Sequence, residues 1–421
     1  MYQKTTLDNG VRILSEEIPH VRSISTGIWV NVGSRDENDE NSGISHFIEH
    51  MMFKGTHKRT PKQIAEELDA VGGQLNAFTT KEYTCYHTKV LDEHFDLSVD
   101  LLSDMLFNSK FSQEDIDREK NVIIEEIKMY EDAPDELVHD IFTKTMWQGH
   151  PLGRPIIGTA EIINSVNRDH LIDFYQKHYT PNKMVISVAG NIKHDKVVDK
   201  LAPIFGRLKA DDTPRQSKVP KGVSGLACNN KGTEQVHMII GVPGYHIEHK
   251  DIYVLQIMNT VLGGGLSSRL FQEIREQRGL VYSVYSYHSS YQDAGILGIY
   301  AGLSKENVNQ ALELVLKEIK DIARNGITPE ELKRVKDQLK GGLLLSLENV
   351  NSRMSRLGKS ELYMGKVLHP NEIVERVYKV TNEDIQRVAG DLFKGDQFTM
   401  AAIGSWEDCG DLENAFKKFN F

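Results

Sequence analysis

Two stretches of the sequence resemble each other and indicate how the chain is organised. Ser112-Gln-Glu-Asp-Ile-Asp-Arg118 is matched by Thr328-Pro-Glu-Glu-Leu-Lys-Arg334, which begins 216 residues later. Each stretch starts with a hydroxyl side chain that can cap a helix. Acidic residues follow, and these favour the first helical turn. Both stretches are therefore predicted to open a long helix.

A second pair of stretches repeats at almost the same distance. Met184 to Gly190 and Met400 to Gly404 are apolar runs typical of buried strands, and their final glycines are 214 residues apart. Two matches at nearly one offset indicate duplicated halves of about 200 residues, although capped helices are common and coincidence is the alternative. We predict halves at 1–210 and 233–421, joined by a linker over 211–232 that is rich in polar residues, Pro and Gly.

The apolar pattern predicts an α+β fold, in which each half is a mostly antiparallel sheet covered by helices. In the first half, alternation over 11–33 predicts paired strands, and 74–90 predicts a hairpin. Helices are expected over about 42–54, from Thr60 to Gly72, over 92–107 and from Ser112. The second half shows strands near 235–242 and 280–303, with an apolar helix over 253–262 between them.

Composition restricts the possible functions. The formal charge of −10 argues against nucleic-acid binding, and the sequence has no apolar run long enough to span a membrane. The N-terminus does not resemble an export signal, so we expect a cytoplasmic protein. The widely spaced Cys85, Cys228 and Cys409 cannot form a disulfide framework and are expected to be buried or incidental thiols.

The strongest functional motif is His46-Phe-Ile-Glu-His50. On a helix, side chains four residues apart lie one turn above each other, so the two imidazoles can bind one zinc ion. Glu49 lies near the same face and can accept a proton from water. This is the inverted order of the commoner His-Glu-x-x-His motif. Two hydrogen-bonded core histidines are the alternative interpretation.

The sequence around the motif favours a helix. Asp39, Asn41 and Ser42 are candidate N-caps, and Gly55 is a plausible stop signal. A third zinc ligand must come from elsewhere, and the helix opened by Ser112 contains three candidates, namely Glu119, Glu125 and Glu126. Glu119 and Glu126 share a face that also carries apolar residues. Periodicity alone does not choose among the three.

The motif and its surroundings resemble the pitrilysin, insulysin and mitochondrial-processing-peptidase family of zinc peptidases. The resemblance extends over nearly the whole chain and is closest to the short β-type processing peptidases and their bacterial relatives. It is carried by four stretches: Ser42 to Thr56 around the motif, Asn76-Ala-Phe-Thr79, Val122-Ile-Ile-Glu-Glu126, and His150-Pro-Leu-Gly-Arg-Pro-Ile-Ile-Gly158.

The resemblance implies a complete ligand set. It makes Glu126 the third ligand of one Zn²⁺ per chain, beside His46 and His50, and gives Glu119 an orienting role. The second half is then a degenerate copy, with Gly342 at the position equivalent to Glu126, and binds no metal. The resemblance also implies that the halves face each other as a clamshell, and that Arg275 and Tyr282 help to stabilise the oxyanion.

The resemblance also suggests how a peptide binds. Asn76, Ala77 and Phe78 occupy the segment that offers a sheet edge to an extended substrate in the resembling enzymes. Glu136 and Asp140, one helical turn apart, match positions that bind an arginine near the cleaved bond. A solvated acidic face is the alternative for this pair.

The sequence therefore predicts a zinc metalloendopeptidase that cleaves extended peptides or presequence-like segments, with a possible preference for basic residues. We expect it to bind neither nucleic acid nor membrane and to form a homodimer. The alternative is a non-catalytic member of the family that binds peptides or has a structural role.

Overall fold

The computed structural model describes residues 2–210, 218–406 and 409–419. The chain divides into two compact units. Unit 1 comprises Met1–Lys128, Arg154–Ser217 and Leu345–Leu368, and unit 2 comprises Met129–Gly153, Lys218–Leu344 and His369–Phe421. Each unit therefore combines segments that are distant in the sequence.

Unit 1 is built on a six-stranded sheet. Its strands are β1 (Tyr2–Thr6), β2 (Arg12–Glu17), β3 (Ser23–Val30), β4 (Gln74–Thr79), β5 (Thr84–Leu91) and β6 (Met184–Gly190). The order across the sheet is β1-β2-β6-β3-β5-β4, and β2 with β6 is its parallel pair. The predicted hairpin of β4 and β5 is confirmed. The expected pairing within 11–33 is wrong, because β6 lies between β2 and β3.

Unit 2 is built on a five-stranded sheet. Its strands are β7 (Gly225–Asn230), β8 (Val236–Gly244), β9 (Val281–Ser290), β10 (Gly295–Leu303) and β11 (Thr399–Gly404). The order is β7-β11-β8-β10-β9, with β7 and β11 as the parallel pair. This order repeats that of unit 1 without the outer strand β1. The α+β class with two similar, mostly antiparallel sheets is confirmed; the clamshell arrangement stays a prediction.

Helices cover both sheets. In chain order they are α1 (Ile44–Met52), α2 (Pro61–Asp69), α3 (Phe95–Asn108), α4 (Gln113–Glu131), α5 (Pro134–Met146), α6 (Ala160–Ser165), α7 (Arg168–His178), α8 (His194–Phe205), α9 (Ile252–Gly263), α10 (Val308–Asn325), α11 (Pro329–Ser346), α12 (Val350–Met364), α13 (Pro370–Lys379), α14 (Asn382–Leu392) and α15 (Gly410–Lys417). The hydroxyls of Ser112 and Thr328 cap α4 and α11, as predicted. Within the described ranges, no helix is long and apolar enough to cross a membrane.

Two equivalent helices cover the sheet of the opposite half. Helix α5, from the first half of the sequence, buries Phe142 and Met146 in unit 2. Helix α12, from the second half, buries Met354 and Leu357 beside Trp29 in unit 1. The first residues of α5 and α12 are 216 positions apart, the offset that also relates α4 to α11. The duplicated halves have therefore exchanged one helix.

This exchange makes the compact units differ from the contiguous halves expected at 1–210 and 233–421. An amphipathic helix has the same sequence pattern whichever sheet it covers, so the pattern cannot reveal the exchange.

Strand β7 lies within the predicted linker. Its side chains are half-buried or exposed because it is an edge strand, and this weakens its strand signal. Residues 211–217 of that linker lie outside the described residues.

The expectation of three incidental thiols is wrong for two of them. Cys228 of β7 and Cys409, which precedes α15, form a disulfide with a Cα–Cα distance of 6.3 Å. They are 181 residues apart, so their sequence spacing gives no sign of the pairing. Cys85 is a free, buried thiol.

Candidate metal centre

Helix α1 presents the motif of unit 1. Its apolar side chains Phe47, Ile48, Met51 and Met52 are buried in the core of the unit. On the remaining face, His46, Glu49 and His50 are half-buried. The helix is therefore held by its apolar side and offers two imidazoles and a carboxylate from the other, as the spacing predicted.

The beginning of α1 differs from the expected one. The N-cap is Gly43, so the predicted caps Asp39, Asn41 and Ser42 are wrong. The amides of the first turn instead donate to the side chain of Glu37, which lies in the preceding loop. Sequence reasoning missed Glu37 because its carboxylate approaches from six residues before the cap.

Helix α4 places a carboxylate beside both imidazoles. His46 Nε2 and His50 Nε2 are 3.2 Å apart, and Glu126 Oε2 lies 3.9 Å from the first and 3.7 Å from the second. Among the described residues, these three form the group whose ligand atoms lie close enough to hold a metal ion. Glu125, the other adjacent candidate, is exposed and pairs with Lys128.

The donor set fits zinc. Ligands at about 2.0–2.2 Å in a tetrahedron are separated by roughly 3.3–3.6 Å, and the observed separations run from 3.2 to 3.9 Å. Two nitrogens and one oxygen also match a catalytic site, which keeps a fourth position open. Burial, reinforced by neighbouring His50, lowers the pKa of His46 to about 3, so this imidazole is neutral at neutral pH. A neutral imidazole is the form that binds a metal.

Glu119 contacts one of the imidazoles. Its carboxylate is only 2% exposed and lies 2.8 Å from His50 Nδ1, so His50 Nε2 faces Glu126. Lys54 holds the other oxygen of Glu119 at 2.7 Å. Burial alone raises the pKa of Glu119, but the hydrogen bonds from His50 and Lys54 outweigh burial and lower it. Lys54 was not predicted, although it lies one helical turn after His50.

Glu49 is hydrogen-bonded to a residue of the sheet. Thr79, the last residue of β4, donates its hydroxyl to Glu49 Oε2 at 2.5 Å. Burial raises the pKa of Glu49, and the hydrogen bond from Thr79 opposes this rise. The contact joins the candidate base directly to the strand that carries Asn76, Ala77 and Phe78, an arrangement that the sequence did not indicate.

The predicted peptide-binding segment lies on the edge strand of unit 1. Within the described residues, β4 pairs with β5 on one side and ends the sheet on the other. Asn76 is exposed, and its side-chain oxygen accepts a hydrogen bond from the backbone amide of Ala77 at 2.8 Å. An extended chain can therefore add at this edge once that amide is released.

The other predicted residues lie in unit 2. Arg275 belongs to a π-helical segment over Phe271–Glu276, and its guanidinium lies over the ring of Tyr282, 5.9 Å from the ring centroid. Tyr282 is 74% exposed, which argues against a packed strand aromatic. The structure therefore brings the predicted arginine and tyrosine together within their own unit.

The predicted acidic pair Glu136 and Asp140 is part of α5, which belongs to unit 2, whereas the candidate metal ligands belong to unit 1. Glu136 is exposed and Asp140 half-buried. His139, between them, reaches the hydroxyl of Tyr285 at 3.2 Å. Burial, together with the nearby charge of Glu136, raises the pKa of Tyr285.

Comparisons with known proteins identify the class of the protein. Residues 12–160 match the family model described as insulinase (peptidase family M16), and residues 165–339 match the model described as peptidase M16 inactive domain. The chain is also 47% identical over 403 residues to the uncharacterized zinc protease YmxG of Bacillus subtilis, covering 96% of this chain and 98% of that protein. The chain belongs to the insulinase (peptidase M16) family, as its resemblance predicted.

Two further matches agree with this membership. An uncharacterized zinc protease of Streptomyces coelicolor is 42% identical over 416 residues, which cover 96% of this chain and 90% of that protein. The crystal structure of a protease from Helicobacter pylori superposes with a TM-score of 0.90, covering 96% of this chain and 99% of that chain. Its 22% identity supports the fold alone.

Proposed function

We propose that the protein is a zinc metalloendopeptidase that hydrolyses extended peptides. The observation that carries this proposal is the grouping of His46, His50 and Glu126 with a carboxylate, Glu49, on the same helix as the two histidines. A metal site that served only the fold would usually be closed by four protein ligands. Here three ligands and an adjacent base leave room for water and substrate.

In this mechanism Glu49 transfers the protons. A bound zinc ion supplies a Lewis acid that activates the attacking water and the scissile carbonyl. Glu49 accepts the proton of the attacking water and then donates it to the leaving amine. Burial raises the pKa of Glu49, which makes its carboxylate a stronger proton acceptor. Thr79 holds one oxygen of Glu49, which leaves the other for the proton.

The substrate is proposed to add to β4 as a strand. Asn76 occupies the Ala77 amide, the donor that a substrate carbonyl needs, so rotation of its side chain accompanies binding. Phe78 precedes Thr79, and the Thr79 hydroxyl contacts Glu49. The backbone of a peptide that pairs with this strand would therefore pass close to Glu49. Such pairing uses backbone hydrogen bonds and does not depend on the side chains of the peptide.

The residues of unit 2 complete the proposal. Arg275 and Tyr282 are proposed to donate hydrogen bonds to the oxyanion, a role supported by their mutual contact and by the exposure of Tyr282. Glu136 and Asp140 are proposed to bind a basic substrate side chain, supported by the exposure of Glu136. These roles rest on the family resemblance.

The test is a peptidase assay on basic peptides with and without a chelator, repeated for Glu49→Gln. We expect this variant to retain zinc and to lose about 10²- to 10⁴-fold in kcat, the usual contribution of a general base. Glu66→Gln, which changes an exposed carboxylate of α2 that pairs with Lys62, is the matched control and should cleave normally.

Turnover by Glu49→Gln at the parental rate would contradict the mechanism. A parent protein that binds zinc and peptide but cleaves nothing would instead support the non-catalytic alternative.

A homodimer and a cytoplasmic location also stay predictions. Light scattering tests the first. The Cys228–Cys409 disulfide disagrees with the second, because reducing compartments rarely maintain such bonds.

A further inference from the structure

A buried carboxylate is bonded to the beginning of the helix that carries the metal ligands. Glu37 is 4% exposed and lies in the loop before α1. Its Oε2 accepts from the backbone amide of Gly43 at 2.8 Å, and its Oε1 accepts from the amide of Ser45 at 2.9 Å. Both oxygens of one side chain are therefore used at the N-terminal end of α1.

These bonds satisfy donors that the helix cannot satisfy itself. The first amides of any helix have no partner within the helix, and a glycine at the N-cap offers no side chain. Burying a carboxyl group is costly unless it is hydrogen-bonded. Burial raises the pKa of Glu37 to about 7, although the two amides oppose the rise. An acceptor from the preceding loop therefore takes the place of a local cap at α1.

The same turn is clamped from its other side by the stretch that ends at Gly158. A Cβ on Gly43 (φ +93°) would lie 2.6 Å from the carbonyl oxygen of Ile157. A Cβ on Gly158 (φ +79°) would lie 2.4 Å from the carbonyl oxygen of Ser42. Arg154 donates to the backbone carbonyl of Glu37 at 2.8 Å. The backbone entering α1 is therefore fixed by two close glycine contacts and by Glu37.

The residues that Glu37 contacts are adjacent in the sequence to the candidate ligands on α1. Ser45, which Glu37 holds, directly precedes His46, and Glu49 follows one turn later on the same nine-residue helix. A short helix moves as a rigid body, so a displacement at its first turn also displaces His46 and Glu49 relative to Glu126 on α4. Metal–ligand distances in genuine sites fall within about 0.2 Å of their standard values, so such a displacement would disturb the fit of the ligands.

We propose that Glu37 is a positioning residue that fixes the N-terminal end of α1, so that His46 and Glu49 meet the carboxylate of Glu126 and the metal. The inference rests on the proposed function for the identity of the metal and the reaction. It assigns a role to the stretch from Arg154 to Gly158, which supports the same turn.

The test compares Glu37→Ala and Glu37→Gln with Glu40→Gln, which removes an exposed carboxylate from the same loop. Zinc affinity is measured by competition with a chelator, and kcat and KM are measured separately. We expect Glu37→Ala to lose ten- to hundredfold in zinc affinity and in kcat, with little change in KM. Glu37→Gln keeps one acceptor oxygen and should recover part of both losses, and Glu40→Gln should match the parent.

A purely structural role predicts a different result. If Glu37→Ala lowers the melting temperature but, while folded, keeps the zinc affinity and kcat of the parent, the proposal is overturned. Equal effects of Glu37→Ala and Glu40→Gln would also overturn it. Zinc affinity that depends on Glu37 in a parent that cleaves no peptide supports the positioning role and overturns the peptidase function.

Discussion

Helices α4 and α11 begin at equivalent caps, yet only α4 carries the chemistry of a metal site. Glu119 and Glu126 of α4 correspond, at the 216-residue offset, to Val335 and Gly342 of α11. Glu119 and Val335 are both buried, so the same position holds a hydrogen-bonded carboxylate in one unit and an apolar side chain in the other. The fold is compatible with either kind of side chain at this position.

This difference separates what maintains the fold from what maintains the site. The strand order, the parallel strand pair and the capped helix occur in both units. These features depend on apolar periodicity and caps, which the second copy has kept. The metal ligands need a few specific side chains, and α11 has none at the equivalent positions. Loss of the site therefore does not require loss of the architecture.

The largest expected effect comes from the ligand that distinguishes the two helices. Glu126→Gln should lower zinc affinity more than hundredfold, because a neutral amide replaces the only anionic ligand of the group. Metal content after dialysis and chelator competition measure this change. Glu125→Gln, one residue away, exposed and paired with Lys128, is the control and should bind zinc normally. The opposite pattern would assign the third ligand to Glu125.

A smaller effect is expected at the buried position. Glu119→Gln should weaken zinc binding by ten- to hundredfold, since it loosens the orientation of His50 while leaving all three ligands in place. Lys54→Met should act in the same direction but less strongly, because it removes only the partner of Glu119. Lys62→Met, which changes an exposed lysine of α2, is the control. Zinc affinity unchanged by both Glu119→Gln and Lys54→Met would exclude an orienting role.

The smallest effect is expected in unit 2. Gly342 lies inside α11 with open space where a Cβ would stand. Gly342→Ala should therefore raise the free energy of unfolding by about 0.5–1 kcal/mol, by reducing the freedom of the unfolded chain. Denaturant unfolding measures this, and zinc binding should not change. A loss of zinc on this substitution would mean that unit 2 contributes to the metal centre through α11.

Local patterns revealed much of this organisation. The helix with His46 and His50, the two capped helices and the β4–β5 hairpin were predictable because each depends on neighbours in sequence. Periodicity left Glu119, Glu125 and Glu126 open, since it reports a helical face but not what the face meets. The structure distinguishes them, because Glu126 faces both imidazoles whereas Glu125 does not.

The features that were missed depend on partners that no sequence pattern indicates. The position of β6 between β2 and β3 and the pairing of Cys228 with Cys409 join residues far apart in the sequence. The bonds of Glu37 cross the loop before α1, six and eight residues along the chain. Lys54 and Thr79 were missed for a different reason. Each lies near a predicted site residue, but only the tertiary contact shows that it supports one.

The exchange of α5 and α12 has a consequence for how the chain folds as it is synthesised. The face of the first sheet that carries Trp29 and Leu14 is covered by α12, more than 300 residues further along the chain. A nascent first half therefore emerges from the ribosome with one apolar face exposed, and it stays so until α12 has been made. Contacts of such sequence separation slow folding and invite aggregation. The unit with the candidate metal ligands therefore cannot complete its core until the chain has been made up to Leu368.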